Sequence, residues 1–278
     1  MSLATLTLND GVVLPAIGFG TYRLKGGEGA DTIARAIITG YRLLDSAFNY
    51  ENEGTVGAAI RRAGVPRDEV LVASKLPGRH HAYDAALATV EESLFRTGLD
   101  HLDLYLIHWP NPRQGLFVEA WQALIEARRR GLVRSIGVCN FLPAHLDRLV
   151  EATGVTPAVN QIELHPYFPQ DAQRAADRAR GIVTQAWSPL GRASTVLHDP
   201  VLETIARRLG RSIPQVILRW HVQLGVQPLP KASSPERQAD NLDLSGFELT
   251  DDDMAAIAGL ARPDGRIKDQ DPARYEEF

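Results

Sequence analysis

The chain has 278 residues, of which 44% are hydrophobic and 23% charged, and its formal net charge is -4. That is the composition of a soluble globular protein, and such mild acidity gives no case for nucleic acid or an anionic membrane surface. The single cysteine, Cys139, excludes an intrachain disulfide framework and fits a reducing compartment.

The first residues lack the basic start and apolar stretch of a signal peptide, and no apolar run could span a bilayer, so a cytoplasmic protein is expected. Thr5 to Leu14 reads as a hairpin turning at Asn9-Asp10-Gly11, placed to plug a barrel floor. Short strands follow at Ala16–Gly20, Arg42–Ser46, Val70–Lys75, Leu102–His108, Ser135–Asn140, Ala158–Glu163, Ile182–Trp187 and Val226–Lys231. Between them run helix-like segments, such as one with Leu87, Val90 and Leu94 on one face and another with Phe117, Ala120, Trp121, Leu124 and Ala127. Glycines 40, 64, 98, 131, 154, 181 and 225 stand where these helices end, often after basic residues, as a left-handed helix stop and the negative helix end favour.

Strands alternating with helices imply right-handed crossovers and a parallel sheet. Eight such units in this length match a closed (β/α)8 TIM barrel, an α/β fold. The structural rival, a doubly wound sheet, would carry Gly-x-Gly-x-x-Gly after its first strand, and none follows Gly20. One extra helix, capped by Ser212, precedes the last strand, and Thr250 with Asp251-Asp252-Asp253 opens another. Without a linker, a low-complexity segment or a repeat, a single domain over 1–278 is the simplest organisation.

A barrel of this kind carries its chemistry at the carboxyl ends of its strands. There the sequence puts Gly20-Thr21-Tyr22, Asp45, Lys75, His108-Trp109, Cys139-Asn140, Gln161, Trp187-Ser188 and Lys231, with Tyr50 in the loop after Asp45. A tyrosine is a weak acid near neutrality, and a neighbouring ammonium lowers its pKa. Lys75 is expected to play that part, Asp45 to hold Lys75 as an ion pair, and His108 to donate toward the same oxygen. The result would be a pocket for a carbonyl oxygen becoming an alkoxide, with Tyr50 supplying the proton. A hydride source is then required. Singly, each of these residues is more often a structural barrel group; their shared position at strand ends favours chemistry.

These residues closely resemble the aldo-keto reductase family. The marks are Gly18-Phe19-Gly20-Thr21, the stretch from Asp45 to Glu53, Lys75, Leu106-Ile107-His108-Trp109-Pro110, Ile136-Gly137-Val138-Cys139-Asn140-Phe141, Val159-Asn160-Gln161-Ile162-Glu163-Leu164-His165-Pro166, Trp187-Ser188-Pro189-Leu190-Gly191, and the run from Leu229 to Arg237. The short tail after Asp264 and Trp187 are similar to the bacterial branch that includes 2,5-diketo-gluconate reductases. The resemblance implies NADPH (NADP+) as cofactor and Asp45, Tyr50, Lys75 and His108 as a catalytic tetrad. It places Asn140 and Gln161 at the nicotinamide carboxamide and Trp187 under the nicotinamide ring. Gly20, Thr21, Ser188, Leu190 and Gly191 would lie along the cofactor, and Lys231, Ser233, Arg237 and Asn241 at its adenosine-phosphate end. Cations beside a ribose 2′-phosphate favour NADPH over NADH. Two positions depart from the family pattern: Cys139 stands where Ser is usual, and Ala232 removes one hydroxyl from the 2′-phosphate site.

Tyr22, Phe48 and Trp109 are expected to wall the substrate pocket beside Tyr50 and His108. His80-His81 reads as a solvated loop, His165 as a structural loop histidine and Cys139 as a small buried residue. No metal is expected. The expected function is NADPH-dependent reduction of a small aldehyde or ketone (a sugar-derived ketone, a methylglyoxal-like or an aromatic aldehyde) by a monomer. The alternatives are an NADP(H)-binding regulatory barrel with little turnover and a metal-dependent barrel isomerase or hydrolase.

Overall fold

The computed structural model describes residues 5–193, 195–268 and 270–278. A two-stranded antiparallel hairpin comes first, β1 (Leu6–Thr7) and β2 (Val13–Leu14), with Leu6 opposite Leu14. Eight parallel strands follow: β3 (Phe19–Gly20), β4 (Leu43–Asp45), β5 (Leu71–Leu76), β6 (Leu102–Ile107), β7 (Val133–Cys139), β8 (Val159–Glu163), β9 (Val183–Trp187) and β10 (Gln227–Pro228). Each pairs with its sequence neighbour, so the order runs β3 to β10 without a crossover out of turn.

The edges meet through two backbone hydrogen bonds, Gly18 N to Pro228 O and Gly20 N to Pro230 O, both 3.0 Å. Here the strands are shorter than the sequence suggests. Pro228 and Pro230 have no N–H to give, so the last strand serves the seam through its carbonyls alone. The seam is also tight: a Cβ on Gly20 would stand 3.0 Å from the Leu229 carbonyl, and one on Gly18 would meet the Leu229 and Leu43 side chains. Glycine is needed there for backbone approach.

Side-chain alternation sorts the strands into two apolar layers. Val72, Leu76, Tyr105, Ile107, Ile136 and Val138 face outward to the helices. Ala73, Leu104, Leu106, Cys139 and Val159 face inward, where they pack on Leu8 and Leu14 of the hairpin. Ser135 Oγ donates to Asp10 (2.6 Å) and Asn9 to the Pro157 carbonyl (3.0 Å), which fixes the hairpin across the floor as expected.

The helices are α1 (Gly26–Thr39), α2 (Glu53–Ala63), α3 (Tyr83–Thr97), α4 (Phe117–Arg129), α5 (Pro143–Thr153), α6 (Asp171–Ala179), α7 (Pro200–Leu209), α8 (Ile213–Gln223), α9 (Pro235–Leu242) and α10 (Asp251–Ala258). Leu87, Val90, Phe117, Ala120, Trp121, Leu124 and Ala127 are buried, and Leu94 packs at the edge of the same cluster. The seven helix-stopping glycines all have positive φ. Helix α8 is the extra one, opened by a capping box between Ser212 and Gln215; Thr250 and Asp253 make the same device at α10.

Candidate active site

Asp45 ends β4 and Lys75 lies in the neighbouring β5, both with side chains turned into the barrel mouth. Lys75 Nζ stands 2.8 Å from each Asp45 carboxylate oxygen and donates to the Ser46 carbonyl at 2.6 Å. Both residues are buried. Thr21 fixes the Asp45 backbone, donating to its carbonyl from both N (3.0 Å) and Oγ1 (2.9 Å). Tyr50 comes from a 3-10 turn, Phe48–Tyr50, that follows β4 directly. The Lys75 ammonium is 5.0 Å from the Tyr50 ring centre, and the His108 ring centre 5.9 Å from it in an edge-on arrangement. His108 follows β6 and extends its ladder through His108 N to Leu76 O, 3.0 Å. The four residues expected to converge therefore do so.

Burial dominates the Tyr50 phenol and pushes it up to about 12, against the opposite pull of Lys75. The sequence reading gave only the downward pull; enclosure of the ring outweighs it. Tyr50 is thus a neutral phenol throughout the neutral range, the form that can donate. Burial alone would depress the Lys75 ammonium, but the Asp45 carboxylate, with Tyr50, holds its pKa above the ordinary value. The ammonium stays charged.

Asn52 holds the Tyr50 turn in place and carries no role in the sequence reading. Its buried amide donates to the Thr21 carbonyl (2.8 Å) and the Leu24 carbonyl (3.1 Å), and its oxygen accepts from Ser46 Oγ (2.7 Å). The loops after β3 and β4 are tied together by this one side chain, two residues beyond Tyr50.

The residues expected at a nicotinamide lie on the next strands. Asn140 takes a left-handed conformation (φ 62) just past β7 and donates to the His108 carbonyl at 3.0 Å. Its Oδ1 accepts from the Trp187 indole N–H at 2.8 Å, which fixes the partly exposed Trp187 ring. Gln161 donates to Asp45 Oδ1 at 2.9 Å and to Gln185 at 3.1 Å, and Gln185 donates to Gln227 at 2.6 Å. These three glutamines stand in register across β8, β9 and β10, so the barrel centre is a string of amides leading up to the carboxylate. Behind Asn140, the Asn160 side chain brackets the Phe141 backbone (2.9 and 3.3 Å) and donates to buried Asp177 at 3.1 Å. Burial pushes the Asp177 carboxyl up to about 6 in spite of donors from Asn160, Gln173 and Thr184.

Cys139 is buried in the inner apolar layer and burial raises its thiol pKa, as suits a packing residue. Beyond Trp187, Ser188 and Arg192 take positive φ around Gly191, Arg192 Nε donates to Ser188 Oγ at 3.3 Å, and Leu190 packs on the apolar core. At the barrel seam Lys231 lies beside Gly20. Lys231, Ser233 and Arg237 are exposed around the start of α9, whose N-cap is Ser234 (Oγ accepting from Arg237 N), while Ala232 and Asn241 are buried. Two cations at a helix N-terminus are suited to a phosphate. A partly exposed indole beside amide side chains suits a planar carboxamide. The donor set thus fits a nicotinamide dinucleotide phosphate.

At the rim Tyr22 is exposed and edge-on to Tyr50, ring centres 5.0 Å apart. Trp109 is buried against Tyr275 at 4.5 Å. Phe48 is buried between the Arg96 guanidinium (3.9 Å) and the His80 ring (5.5 Å). One expectation fails: His80-His81 is no solvated loop. His81 is 1% exposed and burial lowers its pKa to about 4, while His80 meets Thr89 Oγ1 at 2.8 Å. The turn after β5 folds inward over the barrel wall. His165 is structural as expected, buried 3.0 Å from Glu163.

The sequence reading also missed Glu277. Its carboxylate lies 2.7 Å from His108 Nδ1, and Tyr275, Glu276 and Phe278 border a cavity of about 530 Å³ with Arg113, Gln114 and Arg274. A contact across so much of the chain leaves no local pattern to read.

A barrel with these four groups at its mouth defines a class, oxidoreductases that act on carbonyl groups. Residues 16–262 match the model of the Aldo/keto reductase family, and the chain belongs to that family. It is 52% identical over 277 residues to 2,5-diketo-D-gluconic acid reductase B of a Corynebacterium species, covering 100% of this chain and 99% of that one. Morphine 6-dehydrogenase of Pseudomonas putida is 46% identical, with 98% and 97% covered. Among solved structures, a Gox0644 variant in complex with NADPH superposes with a TM-score of 0.94 at 41% identity, over 99% of this chain and 100% of that one. A Bombyx mori aldo-keto reductase in complex with NADP gives 0.90 at 35% identity, over 100% and 99%.

Proposed function

We propose that this protein reduces the carbonyl group of a small aldehyde or ketone, with Tyr50 as the proton donor. It is an NADP-dependent oxidoreductase, and NADPH supplies the hydride when bound. The reading is carried by one observation: a neutral phenol beside a buried, charged ammonium, with an imidazole edge-on to it. As the carbonyl oxygen gains charge, Tyr50 releases its proton and the Lys75 ammonium stabilises the phenolate left behind. A phenolate is a far weaker base than an alkoxide, so the transfer is downhill. Asp45 keeps Lys75 charged, and His108 polarises the carbonyl. Trp187, Asn140 and Gln161 would hold the nicotinamide end, and Lys231, Ser233 and Arg237 the 2′-phosphate.

A sugar-derived ketone is the favoured substrate class. The relative at 52% identity is named for a diketo sugar acid. The test is NADPH consumption across sugar-derived ketones, methylglyoxal and aromatic aldehydes. Turnover of acidic keto-sugars above the neutral compounds is expected; absence of turnover with every carbonyl would sink the reading.

Arg237→Ala is expected to weaken NADPH by at least about tenfold, the value of one charge-assisted phosphate contact, and to leave NADH within about twofold. Equal weakening of both cofactors in fluorescence titrations would reject the 2′-phosphate contact.

A further inference from the structure

The three buried glutamines at the barrel centre form a level of their own. Gln161 stands in register with Gln185, and Gln185 with Gln227. Two residues earlier on the first two of these strands, Val159 stands opposite Val183, so apolar side chains fill the level beneath. Packing alone has no need of three amides, whose burial is costly unless each is hydrogen-bonded.

The string has one polarity, and the floor sets it. Gln227 Nε2 donates to the carbonyl of Pro15, on the chain leaving the floor hairpin. A proline carbonyl accepts and has nothing to donate, so the Gln227 nitrogen must face it. The Gln227 oxygen is left for Gln185 Nε2 (2.6 Å), and the Gln185 oxygen for Gln161 Nε2 (3.1 Å). At the far end stands another acceptor, the Asp45 carboxylate, which receives Gln161 Nε2 at 2.9 Å. An amide nitrogen has two N–H groups, and both on Gln161 are spent. Gln161 Oε1 is the one amide atom of the string that meets no donor among the described residues, and it is not fully enclosed.

Asn140 adjoins it, its backbone N donating to the Gln161 carbonyl at 3.0 Å. The Asn140 amide is locked in the same way. The Trp187 N–H holds its oxygen and the His108 carbonyl takes one N–H, which leaves the second N–H. The two side chains thus offer one donor and one acceptor. That is the complement of a primary carboxamide, whereas a carboxylate would bring acceptors to both.

We propose that Gln185 and Gln227 are positioning residues for cofactor recognition: they consume the second N–H of Gln161, so that its oxygen alone is presented to the carboxamide NH2. This rests on the reading of Gln161 as a nicotinamide contact. Asp45 by itself would hold one N–H and leave the other free to swing about the last side-chain torsion, which is soft. The Gln185 oxygen stops that swing. Gln227, fixed by Pro15, keeps Gln185 from turning its nitrogen toward Gln161 instead. Discrimination at the mouth is in this way anchored at the floor.

The experiment is titration of the full-length protein with NADP+ and with its 3-acetylpyridine analogue, in which a methyl replaces the carboxamide NH2, followed by intrinsic fluorescence. The parent protein is expected to bind NADP+ at least about fivefold tighter, the value of one enclosed acceptor left unpaired. In Gln185→Met the freed N–H should meet the NH2 group, weakening NADP+ by a similar factor while the analogue stays within about twofold. Gln185→Met/Gln227→Met leaves no half-paired glutamine beneath Gln161. It should show the same collapse of the ratio, with a thermal midpoint nearer the parent's. Equal affinities in the parent overturn the proposal. So does a ratio that survives in both variants, with any loss shared by the two nucleotides, as a packing role would give. Binding needs no turnover. A parent that binds NADP+ yet reduces no carbonyl would sink the reductase reading and leave the relay standing, whereas one that binds neither nucleotide would sink the relay with the cofactor reading.

Discussion

Tyr50→Phe is expected to lower kcat for carbonyl reduction by about 10²- to 10⁴-fold, the usual worth of a positioned proton donor. The substitution removes one oxygen and keeps the ring. Its edge-on packing against Tyr22 and His108 and its face toward Lys75 should survive, as should the turn, which Asn52 holds from outside the side chain. NADPH should therefore bind within about twofold of the parent affinity. Because burial pushes the phenol to about 12, the donor should not be titrated away below about pH 10, and loss of reduction near neutrality must have another source. Stopped-flow single turnovers check the claim with release steps removed. Unchanged single-turnover rates in Tyr50→Phe would show that the proton comes from elsewhere.

Much of this site is legible in the sequence because a parallel barrel turns local order into spatial order. Asp45, Lys75 and His108 each end an apolar run, and neighbouring strands in register bring strand ends together. The alternation that sends Lys75 inward also sends Ala73 inward, next to Leu8 of the floor hairpin. Local rules stop where a contact depends on loops that meet from distant parts of the chain. Asn52 is polar and unremarked in sequence, yet ties two loops. His81 looks exposed beside His80, but the short turn after β5 folds it under the rim. Glu277 lies in an acidic, aromatic tail with no periodicity, and its place beside His108 is set by contacts with Asn49, Gly78 and Asn111, all far away in the chain. The strands at the seam are short for a reason readable only afterwards: two prolines limit which backbone groups can pair.

The Asp45–Lys75 pair separates stability from chemistry. Removing either partner leaves the other charge buried. Lys75→Met strands the Asp45 carboxylate with Gln161 as its remaining side-chain donor, and Asp45→Ala leaves the ammonium with the Ser46 carbonyl. Each is expected to cost about 3–5 kcal/mol of stability, as breaking buried pairs does. The double replacement should cost clearly less than the sum, because no unpaired charge remains. Activity should behave differently. Lys75→Met removes the cation proposed to stabilise the Tyr50 phenolate, and restoring neutrality with the second change brings no cation back, so the double variant should stay as inactive as Lys75→Met. The pH dependence has a definite sign. The folded-state pKa of Lys75 is raised, so its stabilising contribution is complete below the unfolded value of about 10.4 and is lost as pH rises through the higher folded value. Urea titrations of the four proteins at neutral pH and above pH 10 test both parts. Additive stability losses, or reduction that returns in the double variant, would mean that Asp45 and Lys75 do not act as one charged unit beneath the phenol.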